Sequence, residues 1–132
     1  MKLEGGCQCG VVRYAVDGEP AHVALCHCSD CQKSSGAPVM AWAAYAQGDF
    51  TLTAGTPSAY SSNGDATRHF CPTCGAGVYY VNEAVLPGLV DVQIATLDDP
   101  AALTPQAQIQ VAERIAWMAD LAKMPEFARY PG

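Results

Sequence analysis

The residues best placed to do chemistry are seven cysteines, arranged as Cys7-x-Cys9, Cys26-x-Cys28-x-x-Cys31 and Cys71-x-x-Cys74. Short spacings of this kind are those of metal chelates, and seven thiols cannot all pair as disulfides within one chain. Cys26, Cys28 and Cys31 are close enough in the chain to converge on one ion unaided. Residues two apart on a strand share a face, and a following turn brings the third around. The remaining four form two chelating pairs, Cys7 with Cys9 and Cys71 with Cys74. A zinc ion held by four thiolates is saturated and supports the fold, whereas three protein ligands leave a position free for a guest. The four-plus-three division therefore points to one closed and one open zinc site. A division in chain order stays open, with Cys7, Cys9, Cys26 and Cys28 on one ion and Cys31, Cys71 and Cys74 on the other, although it splits the local trio.

Other side chains near the trio have competing explanations. His22, His27 and His69 are the histidines able to complete a fourth position. If its segment is extended, His27 points away from a metal shared by Cys26 and Cys28. Ser29-Asp30-Cys31-Gln32 fits a capping box, with Ser29 as N-cap and Gly36 ending the turn of helix. Asp30 and Lys33 read equally as solvated surface or, beside an open zinc, as groups that could move protons or attract an anionic substrate. Lys33 could receive an anionic group of a substrate, with Ser34 and Ser35 placed to hydrogen-bond beside it. Trp42 and Tyr45 could wall a pocket, but aromatic residues on a strand are more often core.

The elements that must position these residues read as short strands. Val11 to Val16 is closed by Asp17-Gly18, and Ala21 to Leu25 leads straight into the trio. Pro38 to Ala46, Phe50 to Thr53, Ser58 to Ser61, Arg68 to Phe70, Gly77 to Val81 and Leu89 to Leu97 follow, separated by turn-forming residues. The pattern predicts a mainly β core. Asp98-Asp99-Pro100 suggests a helical turn ending near Leu103. Val111, Ile115, Met118 and Ala122 recur at helical spacing, which predicts a short helix over 113–123, stopped by Pro125.

With 132 residues, half of them apolar, the chain is sized for one domain over 1–132. No run approaches the ~18 apolar residues of a membrane span, and the first residues lack a signal peptide's apolar stretch. A soluble, cytoplasmic protein is expected, a setting in which clustered thiols bind metal rather than oxidise. The formal charge is −6, and thiolates would add to it, so nucleic acid is excluded as an expected partner.

Three motifs together carry a family resemblance: Gly6-Cys7-Gln8-Cys9-Gly10, Cys26-His27-Cys28-Ser29-Asp30-Cys31-Gln32-Lys33-Ser34-Ser35-Gly36, and Phe70-Cys71-Pro72-Thr73-Cys74-Gly75. In this order and spacing the chain resembles the glutathione-dependent formaldehyde-activating enzyme family, also called the CENP-V/GFA domain. The resemblance implies an Mss4-like fold of twisted antiparallel sheets stabilised by zinc. It implies a structural zinc on Cys7, Cys9, Cys71 and Cys74, and a second zinc on Cys26, Cys28 and Cys31. It further implies carbon–sulfur lyase chemistry, the joining of a thiol such as glutathione to formaldehyde. From another class, a zinc-stabilised protein-binding module is the competing expectation, because a fold does not dictate its function. A fourth protein ligand closing the trio would favour that module. A redox or metal-storage role for the trio would instead predict ready disulfide formation without metal.

Overall fold

A computed structural model describes residues 1–132. Ten strands form two sheets: β1 (Lys2–Gly6), β2 (Arg13–Asp17), β3 (His22–Cys26), β4 (Met40–Ala46), β5 (Phe50–Ala54), β6 (Ser58–Ser61), β7 (Ala66–Phe70), β8 (Gly77–Asn82), β9 (Leu89–Gln93) and β10 (Ala107–Ile109). The smaller sheet runs β1-β2-β5 and the larger β10-β3-β4-β9-β8-β7-β6. Pairing is antiparallel except where β10 lies parallel to β3. The one α-helix, α1 (Ser29–Ser35), follows β3 directly.

β4 shows why the sheets stack as they do. Its sequence Met-Ala-Trp-Ala-Ala-Tyr-Ala is apolar throughout, as a strand covered on both faces requires. Ala43 and Tyr45 face the smaller sheet and join Val12, Tyr14, Val16 and Val92 in the main core. Met40 and Trp42 face the other way and pack on Cys26 and Cys31. Cys7 and Cys71 belong to the main core, so one cysteine group lies where the two sheets meet and the other on the outer face of the larger sheet.

Most predicted strands are present, with ends displaced by a few residues. β1 was not expected, since Lys-Leu-Glu-Gly-Gly carries a single large apolar residue. It is held by its ladder to β2 and by the close approach of Gly5, where a Cβ would come 2.6 Å from the Thr96 carbonyl oxygen. β10 escaped notice as well, being three exposed residues whose only signal is the neighbour they pair with.

The predicted strand over 89–97 stops at Gln93, where the chain turns through a 3-10 segment, Ile94–Thr96, and Thr96 Oγ donates to the Gln93 carbonyl at 2.6 Å. Asp98 to Leu103 forms a turn rather than a helix, with Asp98 held by two bonds from Arg13 at 2.8 and 2.6 Å. The helix expected over 113–123 is instead two 3-10 segments, Val111–Glu113 and Ala116–Lys123, the second kinked at Asp120. Neither buries a residue, and short helices gain most of their stability from a packed face.

Asp91 on β9 is buried opposite Ala44 and Tyr80, and its Oδ1 has no hydrogen-bond partner. Burial pushes its carboxyl up to about 6, with the His22 charge pulling in the opposite sense. Because folding favours the protonated acid, this group's contribution to stability is full below about pH 4 and is lost as pH rises through about 6. Asp91→Asn is therefore expected to stabilise the protein by up to about 3 kcal/mol above pH 7 and by progressively less toward pH 4. Urea denaturation of both proteins across that range checks this, and a pH-independent difference would contradict it.

Candidate metal centre and cavity

The two pairs come together across the fold. Cys7 and Cys9 follow β1, Cys71 and Cys74 lie between β7 and β8, and their sulfurs all fall within 4.8 Å of one another. Cys26, Cys28 and Cys31 form the second group by the same measure. The chain-order division is thereby contradicted, because the first two motifs sit on opposite sides of the larger sheet's core. The closed group could hold one metal ion and the trio another.

The backbone around the closed group is shaped to the sulfurs. Val12 N–H donates to Cys7 Sγ at 3.2 Å, while Thr73 and Cys74 N–H groups point at Cys71 Sγ at 3.3 and 3.4 Å. Gly75 makes the second turn possible with φ +79, donating to the Cys71 carbonyl at 2.9 Å in a conformation side chains disfavour. Bonds of this kind, to a ligand rather than to the metal, orient the ligand and spread its charge.

In the trio, Cys26 ends β3, and Cys28 sits just before α1 as its N-cap, its sulfur accepting the Cys31 N–H at 3.2 Å. This corrects the expected capping box by one residue. Ser29 does not cap the helix; its own N–H is taken by Glu113 Oε1 at 2.7 Å. Gln32 reaches the His27 carbonyl at 2.7 Å instead of the N-cap N–H. Gly36 ends the helix at φ +69, as its position predicted. Glu113 was invisible as a partner in the sequence because it lies 84 positions away.

The donor sets fit zinc. Neighbouring sulfurs are 3.6 Å apart for Cys7 and Cys9 and 3.7 Å for Cys9 and Cys71 and for Cys26 and Cys31. A tetrahedral ion with Zn–S bonds of about 2.3 Å needs edges of about 3.8 Å, and disulfides need about 2.05 Å. Thiol acidities say the same. Cys74 is lowered to about 6, chiefly by the Ala76 N–H, while for exposed Cys9 the lowering by the Val11 N–H is outweighed by desolvation and the neighbouring sulfurs, which together hold it up at about 11. Burial first, then the Cys28 sulfur, pushes Cys31 far up, and burial raises Cys26. Neither group can carry all its thiolates unless a cation neutralises them.

No histidine or carboxylate joins the trio. His27 is buried with Nε2 bonded to Gln108 Oε1 at 2.8 Å. His22 is exposed, and His69 stacks on Tyr79 with ring centroids 4.2 Å apart.

A cavity of about 690 Å³ opens between the end of α1 and the Cys71–Cys74 turn, and none of Cys26, Cys28 and Cys31 lines it. Met40 and Trp42 form part of its wall and also pack on Cys26 and Cys31. Ser34 and Ser35 line it too, each hydroxyl donating to the Cys31 carbonyl, at 3.1 and 2.7 Å. Tyr45 is fully buried in the main core, so of the two aromatic candidates only Trp42 reaches the cavity. Lys33 is exposed and outside the wall; Asp30, also outside it, is 3.5 Å from the Arg68 guanidinium. Arg68 is the cavity's one charged residue, overlooked in the sequence because nothing in Thr67-Arg68-His69 marks which way it faces.

No helix is long and apolar enough to cross a membrane. The family model described as glutathione-dependent formaldehyde-activating enzyme matches residues 2–113. A curated protein of Halomonas elongata, described as "Putative glutathione-dependent formaldehyde-activating enzyme", is 28% identical over 99% of this chain and 90% of its own length. A crystal structure of a Rhodobacter sphaeroides protein superposes with a TM-score of 0.65 at 26% identity, over 80% of this chain and 99% of that one. With the family match spanning all three cysteine motifs, the chain belongs to the glutathione-dependent formaldehyde-activating enzyme family.

Proposed function

We propose that this protein is a zinc-dependent carbon–sulfur lyase of the cytoplasm, adding a small thiol such as glutathione to an aldehyde such as formaldehyde, or releasing it. The observation that carries the reading is the trio of sulfurs left without a fourth protein ligand, linked to a cavity through Met40 and Trp42, which line it and pack on Cys26 and Cys31. Cys7, Cys9, Cys71 and Cys74 would hold a structural zinc, and Cys26, Cys28 and Cys31 a second one. The chemistry that the second zinc supplies is Lewis acidity that lets a thiol react as its thiolate near neutral pH.

The chain's own residues set the rest. In the addition, sulfur forms a bond to the carbonyl carbon, the carbonyl π pair moves to oxygen, and the thiol proton ends there as hydroxyl. Three thiolates make a soft, electron-rich donor set, which favours sulfur over water as the guest. Met40 and Trp42 supply an apolar wall that keeps water from competing for the aldehyde. Ser34 and Ser35 both donate to the Cys31 carbonyl and Ser35 Oγ also accepts the Ala37 N–H, so Ser34 Oγ is the freer acceptor for a substrate N–H at the cavity wall. The binding-module reading loses support because its expected fourth ligand is missing.

Metal analysis is expected to return two zinc ions per chain. NMR exchange spectroscopy, under conditions where the uncatalysed addition is slow, is expected to show faster exchange between free thiol and its hydroxymethyl adduct. Removing zinc with a chelator should abolish that acceleration. Zinc-loaded protein that leaves the exchange rate unchanged for every thiol tried would overturn the reading.

A further inference from the structure

Arg68 is an unusual residue in this chain. Its side chain is 17% exposed, and its polar contacts within the protein are one ion pair and the face of Tyr80, 5.0 Å from the guanidinium carbon. Five N–H donors in a planar fork suit a bidentate carboxylate, yet the only carboxylate present is Asp30, at 3.5 Å and largely exposed. Such a pair is weak and screened by solvent. The rest of the cavity wall carries no Asp, Glu, Lys or Arg to compete, and its His69 is stacked on Tyr79.

We propose that Arg68 anchors a carboxylate of the substrate, so that the cavity selects thiols bearing an anionic group, with Asp30 as the internal competitor that an arriving carboxylate displaces. This specificity role rests on the thiol–aldehyde reading above. A lone cation in an apolar-walled cavity of a chain with formal charge −6 is where an anion is drawn. Asp30 sits between Cys28 and Cys31, so its partner Arg68 is held close to the trio, as a thiol spanning both would require.

The test compares 3-mercaptopropionate with its methyl ester as thiols, and S-methylglutathione with its diethyl ester as unreactive probes, on zinc-loaded protein. Wild type is expected to show a lower KM for the acid and to bind the acid probe more tightly in calorimetry. Arg68→Gln should reduce that acid-over-ester preference by about 10- to 100-fold, through KM rather than kcat, and Arg68→Lys should restore part of it. Asp30→Asn should strengthen binding of the acid probe by a few-fold, the opposite of what loss of a catalytic group would do. Because Asp30 is exposed, that variant stays informative even where Arg68→Gln fails to fold.

No acid preference in wild type, an unchanged preference in Arg68→Gln, its collapse in Lys33→Gln instead, or weaker acid binding in Asp30→Asn would each overturn the assignment. The two claims separate cleanly. Adduct exchange with no acid preference sinks only the Arg68 assignment, whereas Arg68-dependent probe binding without any thiol reaction sinks the lyase and leaves Arg68 as a carboxylate-binding residue with no role in selecting a thiol substrate.

Discussion

Cys71→Ser is expected to leave the protein unable to fold at ordinary temperatures. Cys71 is completely buried in the main core, and its sulfur gathers two backbone N–H groups as well as its place among four sulfurs. Serine is nearly the same size, so the packing loss is small and what disappears is the metal. Structural zinc contributes ~10 to 16 kcal/mol in small peptides, against ~5 to 15 kcal/mol of net stability for a typical domain. The closed group also ties the end of β1 to the turn between β7 and β8, segments more than 60 residues apart that otherwise meet only through packing. Circular dichroism melts with metal analysis check the expectation. A cooperative melt within about 1 kcal/mol of wild type would mean that the site is dispensable.

Cys28→Ser has a different expected outcome, loss of activity with the fold kept. Cys28 is only half-buried, and its structural duty is to cap α1, which a serine oxygen performs at least as well. The helix should therefore persist while the trio loses its grip on zinc, and metal content should fall from two ions per chain to about one. Thiol–aldehyde exchange should drop by more than the ~10- to 100-fold typical of residues that merely support a metal ligand. Retained activity with one zinc missing would remove the trio from the mechanism. The contrast between the two variants is the informative part: under the proposed function one cysteine group would carry stability and the other chemistry.

The cysteine grouping was legible because chelation is local: Cys26, Cys28 and Cys31 need only a strand end and a turn, and Cys71-x-x-Cys74-Gly75 specifies its own turn through a positive φ. The central strands were legible for the same reason, since apolar runs such as residues 40–45 declare burial by composition. What failed was whatever depends on distant partners. β1 and β10 exist because a neighbouring strand pairs with them, and little in their own sequences says so.

The apolar spacing at 111–122 imitated a helix that no surface of the fold accommodates. Ser29 looked like an N-cap because its side chain is the usual kind, but the preceding cysteine already held that position. Lys33 was the expected anion receiver by proximity in the chain; it lies outside the cavity wall, whose charged residue is Arg68, brought in by β7. Sequence spacing reported which cysteines gather into groups that could hold a metal ion. It could not report which cation faces the cavity.

The central claim is that one sulfur group is complete and the other accepts a guest thiol. Cadmium NMR of protein loaded with two cadmium ions reads both centres separately. Titration with glutathione is predicted to move one resonance toward the position of a four-sulfur site and to leave the other unchanged, with Cys28→Ser abolishing the responsive signal alone. Two resonances that both ignore added thiol would contradict it.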